Sequence, residues 1–292
     1  MSDLTCSLPI CATLPDRALL RISGPPGDAG AVAGFLNPLI SSDVAAEAGR
    51  AVYAALLTPQ GKFLHDFLVY TRDAGELLVD VAAERRADLK RRLTLYRLRA
   101  RVELTELEGW QGYALFGSGR MPELPEGSVL FTDPRLPALG WRLWLPEGVA
   151  PPLTITGLAA YEAHRIALGV PEGVRDIEVD KGLLLENHFE ALNGVDFRKG
   201  CYIGQELTAR TKYRGLLKKQ LYRVEGKASL PAIGTPVTAN GQEVGQLRSS
   251  SGSIGLALLR LDAVSSQELD AGGIALTAIR PDYAGPIPEA KT

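Results

Sequence analysis

The stretch that most restricts the fold of this chain lies after Arg214-Gly215, where short alternating segments are separated by turn residues. Five segments are predicted as strands: Gln220–Glu225, Pro236–Ala239, Glu243–Arg248, Ile254–Arg260 and Ile274–Arg280. Asn240-Gly241, between the second and the third, is a strong hairpin signal. The sequence therefore predicts an all-β module over 215–292, in the form of a small barrel.

A second regular pattern covers residues 50–107. Four strands are predicted there: Ala51–Leu57, Phe63–Tyr70, Glu76–Val81 and Arg101–Leu107. The loop 58–62 has Pro and Gly where turn chemistry requires them. Ala83–Leu98 has apolar residues at helical spacing (Leu89, Leu93, Tyr96), which predicts an amphipathic helix. Together these elements predict a small α+β sheet with one helical face.

Four further elements are predicted outside these two parts: a strand at Ala18–Ser23, a helix at Ala29–Ile40, a strand at Trp141–Leu145 and a helix at Gly157–Gly169. The glycines at 24–27 belong to neither Gly-x-Gly-x-x-Gly nor Gly-Lys-Ser/Thr, so this segment is interpreted as a loop and not as a nucleotide site.

Composition is that of an ordinary globular protein of two or three domains, with 292 residues, 46% apolar and 23% charged. The net charge of −2 gives no overall attraction to nucleic acid or to a membrane. Arg198–Arg223 nevertheless contains eight basic residues against Glu206, and Arg85–Arg101 contains eight against Asp88. The first run is suited to attract an anion, whereas the second is interpreted as a solvated face.

The three cysteines stand at positions 6, 11 and 201, an odd number without a Cys-x-x-Cys pair. This excludes a disulfide framework and a self-contained zinc or cluster site, and it fits a reducing compartment. The N-terminus has no basic and apolar signal pattern, and no apolar run reaches the roughly 18–20 residues that span a bilayer. We therefore expect a soluble, cytoplasmic protein without a membrane partner.

Cys201 has neighbours that favour the reactive thiolate. Arg198 and Lys199 precede it, and the run that starts at Gln205 predicts the opening of a helix. Cationic side chains and a helix N-terminus both stabilise a thiolate, which is the nucleophile or metal ligand. The alternative is a buried, inert cysteine that acts as a small apolar residue.

The segment Lys-Gly-Cys-Tyr-Ile-Gly-Gln-Glu at 199–206 resembles the signature of the YgfZ family of folate-binding, iron–sulfur-related proteins, which are relatives of the glycine-cleavage T-protein. Further segments agree with that family in the same order: 17–24, 54–62, 96–99, 133–135 and 139–140. The resemblance implies an α+β, T-protein-like cloverleaf of three domains with a C-terminal β-barrel. The implied domains are 1–49 plus 108–214, an inserted ferredoxin-like subdomain at 50–107, and the barrel at 215–292.

The resemblance also implies a site for tetrahydrofolate or a derivative. Asp66 matches an Asp near the folate in T-proteins, and Glu186 matches an acidic position suited to the donors of a pterin ring. The other implied folate-binding residues are Arg198, Tyr202, Gln205, Arg210 and Lys212, and the cations among them, together with Lys199, would hold the glutamate tail. For Asp66 and Glu186 the alternative is a carboxylate that faces solvent.

One departure from the T-protein pattern argues against aminomethyl transfer. Aminomethyltransferases carry Thr-Gly-Tyr-Thr-Gly-Glu, whose Glu binds folate, whereas this chain reads Thr-Asp-Pro-Arg-Leu-Pro-Ala-Leu-Gly-Trp at 132–141. T-proteins, for their part, lack the cysteine of the Lys-Gly-Cys motif. The two differences indicate a separate role for Cys201.

Three functions follow as hypotheses. The favoured one is a non-enzymatic, folate-binding factor for assembly or repair of [4Fe–4S] clusters in client enzymes, such as radical-SAM tRNA-modifying enzymes. In it Cys201, next to Lys199, is the reactive thiol or a transient metal ligand, and assembly components supply the other ligands. The second is a tetrahydrofolate-dependent one-carbon transferase with Asp66 as acid and base. The third and weakest is RNA binding by the basic run.

Overall fold

A computed structural model describes residues 8–25, 28, 30–44, 47–73, 75–215, 217–264 and 268–286. The strands are β1 (Ile10–Leu14), β2 (Arg17–Ser23), β3 (Ala51–Leu57), β4 (Phe63–Asp73), β5 (Glu76–Ala82), β6 (Glu103–Leu107), β7 (Trp110–Phe116), β8 (Val129–Thr132), β9 (Trp141–Pro146), β10 (Ile155–Thr156), β11 (Lys219–Gly226), β12 (Pro236–Ala239), β13 (Gln242–Ser251), β14 (Ile254–Arg260), β15 (Leu269–Ala271) and β16 (Ile274–Ile279). The helices are α1 (Ala31–Leu36), α2 (Arg86–Arg97), α3 (Leu158–Ala167), α4 (Gly173–Asp176), α5 (Gln205–Tyr213) and α6 (Leu261–Val264).

The chain divides into two compact units, each built from several segments. The first unit comprises Met1–Pro38, Ser42–Ala54 and Phe67–Tyr161, and the second comprises Leu39–Ser41, Ala55–Asp66 and Glu162–Thr292. The α+β class expected from the sequence is confirmed. The domain boundaries at 49/50, 107/108 and 214/215 stay a prediction.

One sheet of the first unit has the order β10-β1-β7-β9-β8. Strand β1 runs parallel to β10 and antiparallel to β7, and Cys11 of β1 lies fully buried in the apolar cluster on this sheet. Only β9 of these strands was expected from the sequence. The neighbouring strand β7 shows no alternation because its residues 112–116 are all buried.

A second sheet has the order β3-β4-β5-β2-β6, and helix α2 packs on β2 and β6. Strand β2, Arg17–Ser23, lies between β5 and β6, so this sheet includes a strand from outside the predicted 50–107 insert. Helix α2 was predicted over 83–98 with Leu89, Leu93 and Tyr96 on its apolar face. Leu89 and Leu93 are buried, but the expectation for Tyr96 was wrong, because that residue lies in the last turn of the helix and is 41% exposed.

The predicted C-terminal barrel is confirmed as a closed barrel of six strands in the order β11-β14-β13-β12-β15-β16. Asn240 and Gly241 both have positive φ, as a tight hairpin between β12 and β13 requires. The core of the barrel is apolar, with fully buried Val224, Leu247 and Leu259. The three-residue strand β15 was missed because it is too short to show a period of two.

Two predicted helices are shorter than the sequence suggested. Helix α1 ends at Leu36, and the expected start of this helix at Ala29 lies outside the described residues. Helix α3 ends at Ala167, and Gly169 follows at φ +77°, where an added Cβ would stand 2.7 Å from Pro281. Within the described residues, no helix is both long enough and apolar enough to cross a bilayer.

Candidate functional site

The loop that carries Cys201 is anchored in the second unit by Ser41, which is fully buried. The hydroxyl of Ser41 donates a hydrogen bond to the carbonyl of Gly194 at 2.5 Å and accepts one from the Ala55 N–H at 2.8 Å. The Asp196 N–H donates to the Ser41 carbonyl at 3.0 Å. Three chain segments are thereby joined at the start of the loop.

The end of the loop is fixed by two glycines. Gly204 has φ +80° and is the N-cap of helix α5, and a Cβ there would stand 2.4 Å from the Thr58 carbonyl oxygen. Gly61, in the predicted turn, also has φ +80°, and a Cβ there would stand 2.7 Å from the Cβ of Leu207. Because only glycine tolerates both the conformation and the approach, the 58–62 turn packs directly on the N-terminus of α5.

Lys199 and Tyr202 hold the middle of the loop. The ammonium of Lys199 donates to the Ile40 carbonyl at 2.7 Å and lies 5.4 Å from the centre of the Tyr202 ring. Burial raises the pKa of Tyr202 to about 12, so this phenol stays neutral. The Tyr202 N–H donates to the side-chain oxygen of Gln205 at 3.3 Å. The structure therefore places Lys199, Tyr202 and Gln205 together, in contacts that shape the loop.

Cys201 itself is exposed, so the alternative of a buried, inert thiol does not apply to it. Arg198 is also exposed, with 94% of its side chain accessible and Asp196 as its partner at 3.5 Å. Cys11 differs, because burial raises the pKa of its thiol to about 11. Of the two cysteines in the described part of the chain, only Cys201 offers an accessible sulfur.

A groove of about 630 Å³ lies along the loop and helix α5. It is lined by Asp196, Phe197, Lys199, Tyr202, Gln205, Glu206, Ala209, Arg210, Tyr213 and Arg214. Phe197 and Tyr213 form an edge-to-face pair with centroids 6.1 Å apart. Lys212 places its ammonium 3.9 Å from the centre of the Phe197 ring and pairs with Glu190. Lys212 is thus engaged in structural contacts, while Arg210 stays exposed in the groove.

Glu186 lies in a different cavity, of about 310 Å³, which also adjoins Asn187, Lys219 and Arg248. Burial raises the pKa of Glu186 above its usual value, although Lys219 and Lys62 partly oppose the shift. Glu186 is half-buried, and both the pterin-binding role and the solvent-facing alternative stay predictions.

Two residues that line this cavity each have a buried polar atom without a hydrogen-bond partner among the described residues: Oδ1 of Asn187 and Nε of Arg248. The Asn187 amide donates to the Leu183 carbonyl at 2.9 Å, and Arg248 donates to Glu178 at 2.8 Å. Buried polar atoms are nearly always paired, so these two atoms are candidates to pair with a polar ligand.

The cavity wall is held by Asp176. Its Oδ2 accepts from the Arg165 guanidinium and from the Glu172 N–H, each at 2.8 Å, and its Oδ1 accepts from the Ser249 N–H at 2.8 Å. Arg165 is fully buried. The hydrogen bond from Ser249 joins strand β13, which also carries Arg248, to Asp176 of helix α4.

Asp66 is buried, 5% exposed, so it is turned inward and not toward solvent. A Cβ on Gly173 would stand 2.6 Å from Oδ1 of Asp66, so only glycine allows the carboxylate to approach the backbone there. Gly173 has φ +38°.

The segment 132–141, where T-proteins carry a folate-binding Glu, forms a buried ion cluster in the first unit. Asp133 accepts from Arg135 at 2.8 Å and from Arg142 at 3.3 Å. Both guanidiniums also donate to the hydroxyl of Tyr161, at 2.7 and 2.6 Å. Where the T-protein sequence has its folate-binding Glu, this chain therefore has buried ion pairs.

Sequence reasoning missed Asn187, Lys219 and Arg248 around Glu186, and the aromatic pair of the groove. The cavity residues stand far apart along the chain or carry no motif, so no local pattern could have found them. Conversely, the expected folate residues do not share one cavity: Glu186 adjoins one, Arg210 the groove, and Lys212 a third cavity beside His188. The roles assigned to these residues stay predictions.

The fold is that of the glycine-cleavage aminomethyltransferases. The aminomethyltransferase T of Bartonella henselae matches with a TM-score of 0.72 over 98% of this chain and 89% of that one, at 16% identity. Residues 218–286 match the family model described as CAF17, C-terminal beta-barrel domain. The expected T-protein-like fold with a C-terminal barrel is thereby confirmed.

Sequence comparison gives the family. The human iron–sulfur cluster assembly factor IBA57 is 36% identical over 94% of this chain and 85% of its own length, and the mouse protein is 35% identical over the same shares. The chain belongs to the IBA57 family of iron–sulfur cluster assembly factors, within the YgfZ proteins that its motifs indicated.

These relatives contradict one expectation from the sequence. The human, mouse and Neurospora crassa proteins are all named mitochondrial. The cytoplasmic location inferred from the N-terminus and the cysteines was therefore wrong. That inference rested on the lack of a familiar targeting pattern, which is weak grounds for a location.

Proposed function

We propose that this protein is an accessory factor for iron–sulfur cluster assembly in which Cys201 donates a thiolate to iron while a cluster is built or passed on. The observation that carries the proposal is the exposed thiol of Cys201 on a loop fixed at both ends, by Ser41 and by Gly204. Family membership supports the cluster-assembly part of the proposal, since the relatives are named cluster assembly factors.

The cluster is cargo that this chain holds only together with a partner. Soft thiolates suit iron–sulfur chemistry, but a cluster needs several ligands. Among the described residues no group of three or more His, Cys, Asp or Glu is arranged to hold a metal ion. Cys201 would therefore supply one ligand, and iron–sulfur assembly components or the [4Fe–4S] client enzyme would supply the rest. Radical-SAM tRNA-modifying enzymes are among the clients we propose.

The test replaces Cys201 by Ala in cells that lack their own copy, with Cys11→Ala as the matched control. We expect [4Fe–4S] enzyme activities, including tRNA modification, to fall with Cys201→Ala and to persist with Cys11→Ala. Protein levels and thermal unfolding are compared so that a folding defect is recognised. Equal activities in the two strains would remove the thiol from the mechanism.

We further propose that the Glu186 cavity binds the pterin ring of tetrahydrofolate or a derivative. The 2-amino group and N3–H of a pterin are adjacent donors, and O4 beside them is an acceptor. The Glu186 carboxylate and the unpaired Oδ1 of Asn187 suit the donors, and the unpaired Nε of Arg248 suits O4. Bound folate supplies a one-carbon carrier; the residues themselves bind and orient the ring.

Titration with tetrahydrofolate tests the folate site separately from the thiol. Hydrogen bonds to a charged group contribute about 1.5–3 kcal/mol, so Glu186→Gln should weaken binding roughly 10- to 100-fold. Glu206→Gln, the same change at an exposed position of helix α5, should leave binding unchanged. Equal affinity of the Glu186 variant and the wild type would place the folate elsewhere.

A one-carbon transferase is the second candidate function. Its specific support is Asp66, a buried carboxylate held against Gly173 and suited to acid–base work. Against it stands the ion cluster at Asp133, which replaces the folate-binding Glu of T-proteins. Turnover of an aminomethyl donor with tetrahydrofolate, lost in Asp66→Asn, would establish the transferase.

A further inference from the structure

The C-terminal end of helix α2 carries three large apolar side chains that nothing in the described structure covers. Leu95 is 66% exposed, Tyr96 41% and Leu98 89%. Leu98 is the C-cap residue of the helix, at φ 36°. Adjacent exposed apolar side chains with a charged rim mark an interaction surface. We call residues 95–101 the α2 tip.

Most basic residues of the α2 region are neutralised by carboxylates. Asp88 pairs with Arg85, Arg91 and Arg92, at 3.4, 2.6 and 2.8 Å. Glu106 pairs with Arg86 and Lys90, at 3.1 and 3.2 Å, and Glu108 adds a second contact to Arg86. The sequence suggested only a solvated face, whereas in the structure these five residues are paired with carboxylates.

The remaining three cations are different. Arg97, Arg99 and Arg101 are exposed, and no ion pair joins them to a carboxylate of the described residues. They alternate with Tyr96, Leu98 and Ala100 along the tip. The uncompensated positive charge of the α2 region is thus concentrated at the tip, around the most exposed leucine of the described chain.

This combination suits one kind of partner best. Arginines bind phosphate oxygens, a tyrosine suits the boundary between headgroups and acyl chains, and aliphatic side chains enter the acyl layer. A nucleic acid would pair with the arginines but gives two exposed leucines no apolar place. We propose that the α2 tip binds reversibly to a membrane surface that contains anionic lipids.

The proposal is independent of Cys201 and of the folate cavity. It also differs from the expectation, drawn from the net charge, that the protein has no membrane partner. Net charge averages over the molecule, whereas attraction to a surface depends on the charge within about one Debye length, some 8 Å at physiological salt.

The test is co-sedimentation of the full chain with phosphatidylcholine vesicles that contain phosphatidylserine, compared with phosphatidylcholine alone. We expect binding only to the anionic vesicles and weaker binding as salt is raised. Each basic residue near such a surface changes partitioning to the vesicles about five-fold. The triple variant Arg97→Gln/Arg99→Gln/Arg101→Gln should therefore lower vesicle binding about 100-fold. Leu98→Asn should lower vesicle binding about ten-fold, because it removes the most exposed apolar side chain of the tip.

The matched control is Arg91→Gln/Arg92→Gln, which removes charge from the same helix at positions already paired with Asp88. It should change vesicle binding several-fold less than the tip variants, with all variants folded by circular dichroism. Failure to sediment with anionic vesicles would overturn the proposal, and so would an equal loss in the control. Binding of a single-stranded RNA that the tip variants abolish, without vesicle binding, would assign the tip to nucleic acid instead.

Discussion

Gly61 and Gly204 lie back to back at positive φ, so close that a Cβ added to Gly204 would stand 3.0 Å from the Cα of Gly61. The contact joins the turn between β3 and β4 to the N-cap of helix α5. The loop that holds Cys201 ends at this point, so the position of the thiol depends on a pair of residues that no larger side chain can replace.

The first prediction is that Gly204→Ala destabilises the protein and displaces the Cys201 loop. Overpacking and a left-handed conformation without glycine together cost about 1–3 kcal/mol in the free energy of unfolding. Chemical denaturation measures the loss. Gly200→Ala is the control, because nothing lies within 4 Å of the added Cβ and its change should stay within about 0.5 kcal/mol. Equal stability of the two variants would show that the turn moves freely on α5.

The second prediction concerns the buried cluster at Asp133. Burial opposes the charge of Asp133, but the guanidiniums of Arg135 and Arg142 hold the pKa of its carboxyl below the usual value. Asp133→Asn leaves two buried guanidiniums without their carboxylate and should cost about 3–5 kcal/mol. Thermal unfolding should show a far smaller effect of Asp196→Asn, since Asp196 pairs with an exposed arginine. A small effect at Asp133 would mean that the cluster is hydrated.

Acid should weaken the protein through the same residue. A carboxyl whose pKa is lower when folded stabilises the native state above its unfolded pKa, and this contribution is lost as the pH falls through the folded value. Below pH 4 the wild type should therefore lose stability faster than Asp133→Asn does.

The third prediction concerns His188, whose pKa is lowered to about 4, chiefly by burial. Its Nε2 lies 2.7 Å from the carbonyl oxygen of Leu221, and its ring meets that of Tyr283 edge-on at 5.7 Å. The unfolded chain binds a proton near pH 6.5 and the folded one does not, so stability must fall as the pH drops from 6.5 to 4. The full effect is on the order of 3 kcal/mol.

His188→Asn isolates this contribution. The residue has φ 58°, which asparagine adopts readily, so the backbone should be retained. Urea denaturation at pH 7, 5.5 and 4.5 should give a flatter dependence for the variant than for the wild type. An equal pH dependence of the wild type and the variant would show that the ring of His188 takes up its proton in the folded protein as readily as in the unfolded chain.

The predicted strands carry two kinds of signal. Strands β12 and β13 alternate between buried and more exposed residues, whereas β3, β4 and β5 are buried along most of their length and are visible in the sequence as apolar runs. Strand β7 is also buried over 112–116, but Gln111 and Gly112 interrupt its apolar run, and Gly112 lies under Trp144, with an added Cβ 3.0 Å from that ring. Tyr96 shows the opposite error, since helical spacing predicts a face but not where the sheet beneath the helix ends.

The residues of the candidate site also divide into those that the sequence predicted and those that it did not. Cys201, Lys199 and the helix start at Gln205 are neighbours in sequence, so their contacts were visible as a motif. The cavity at Glu186 also includes Arg248 of the barrel strand β13, which pairs with Glu178 and is joined to Asp176 through the neighbouring Ser249. Such convergence comes from tertiary packing and leaves no local signal.

The last prediction follows from the raised pKa of Glu186. Only the ionised carboxylate accepts both donors of a pterin, so the affinity for tetrahydrofolate should fall as the pH is lowered toward that pKa. Because this pKa is raised, the fall should begin at a higher pH than it would if the carboxylate belonged to an exposed Glu. Glu186→Gln should bind weakly with a much flatter pH dependence, while Asn187→Ala should weaken binding and keep the wild-type dependence. Calorimetric titration at a series of pH values separates the three curves. If wild type and Glu186→Gln lose affinity in parallel, the titrating group belongs to the ligand, and the carboxylate has no part in its recognition.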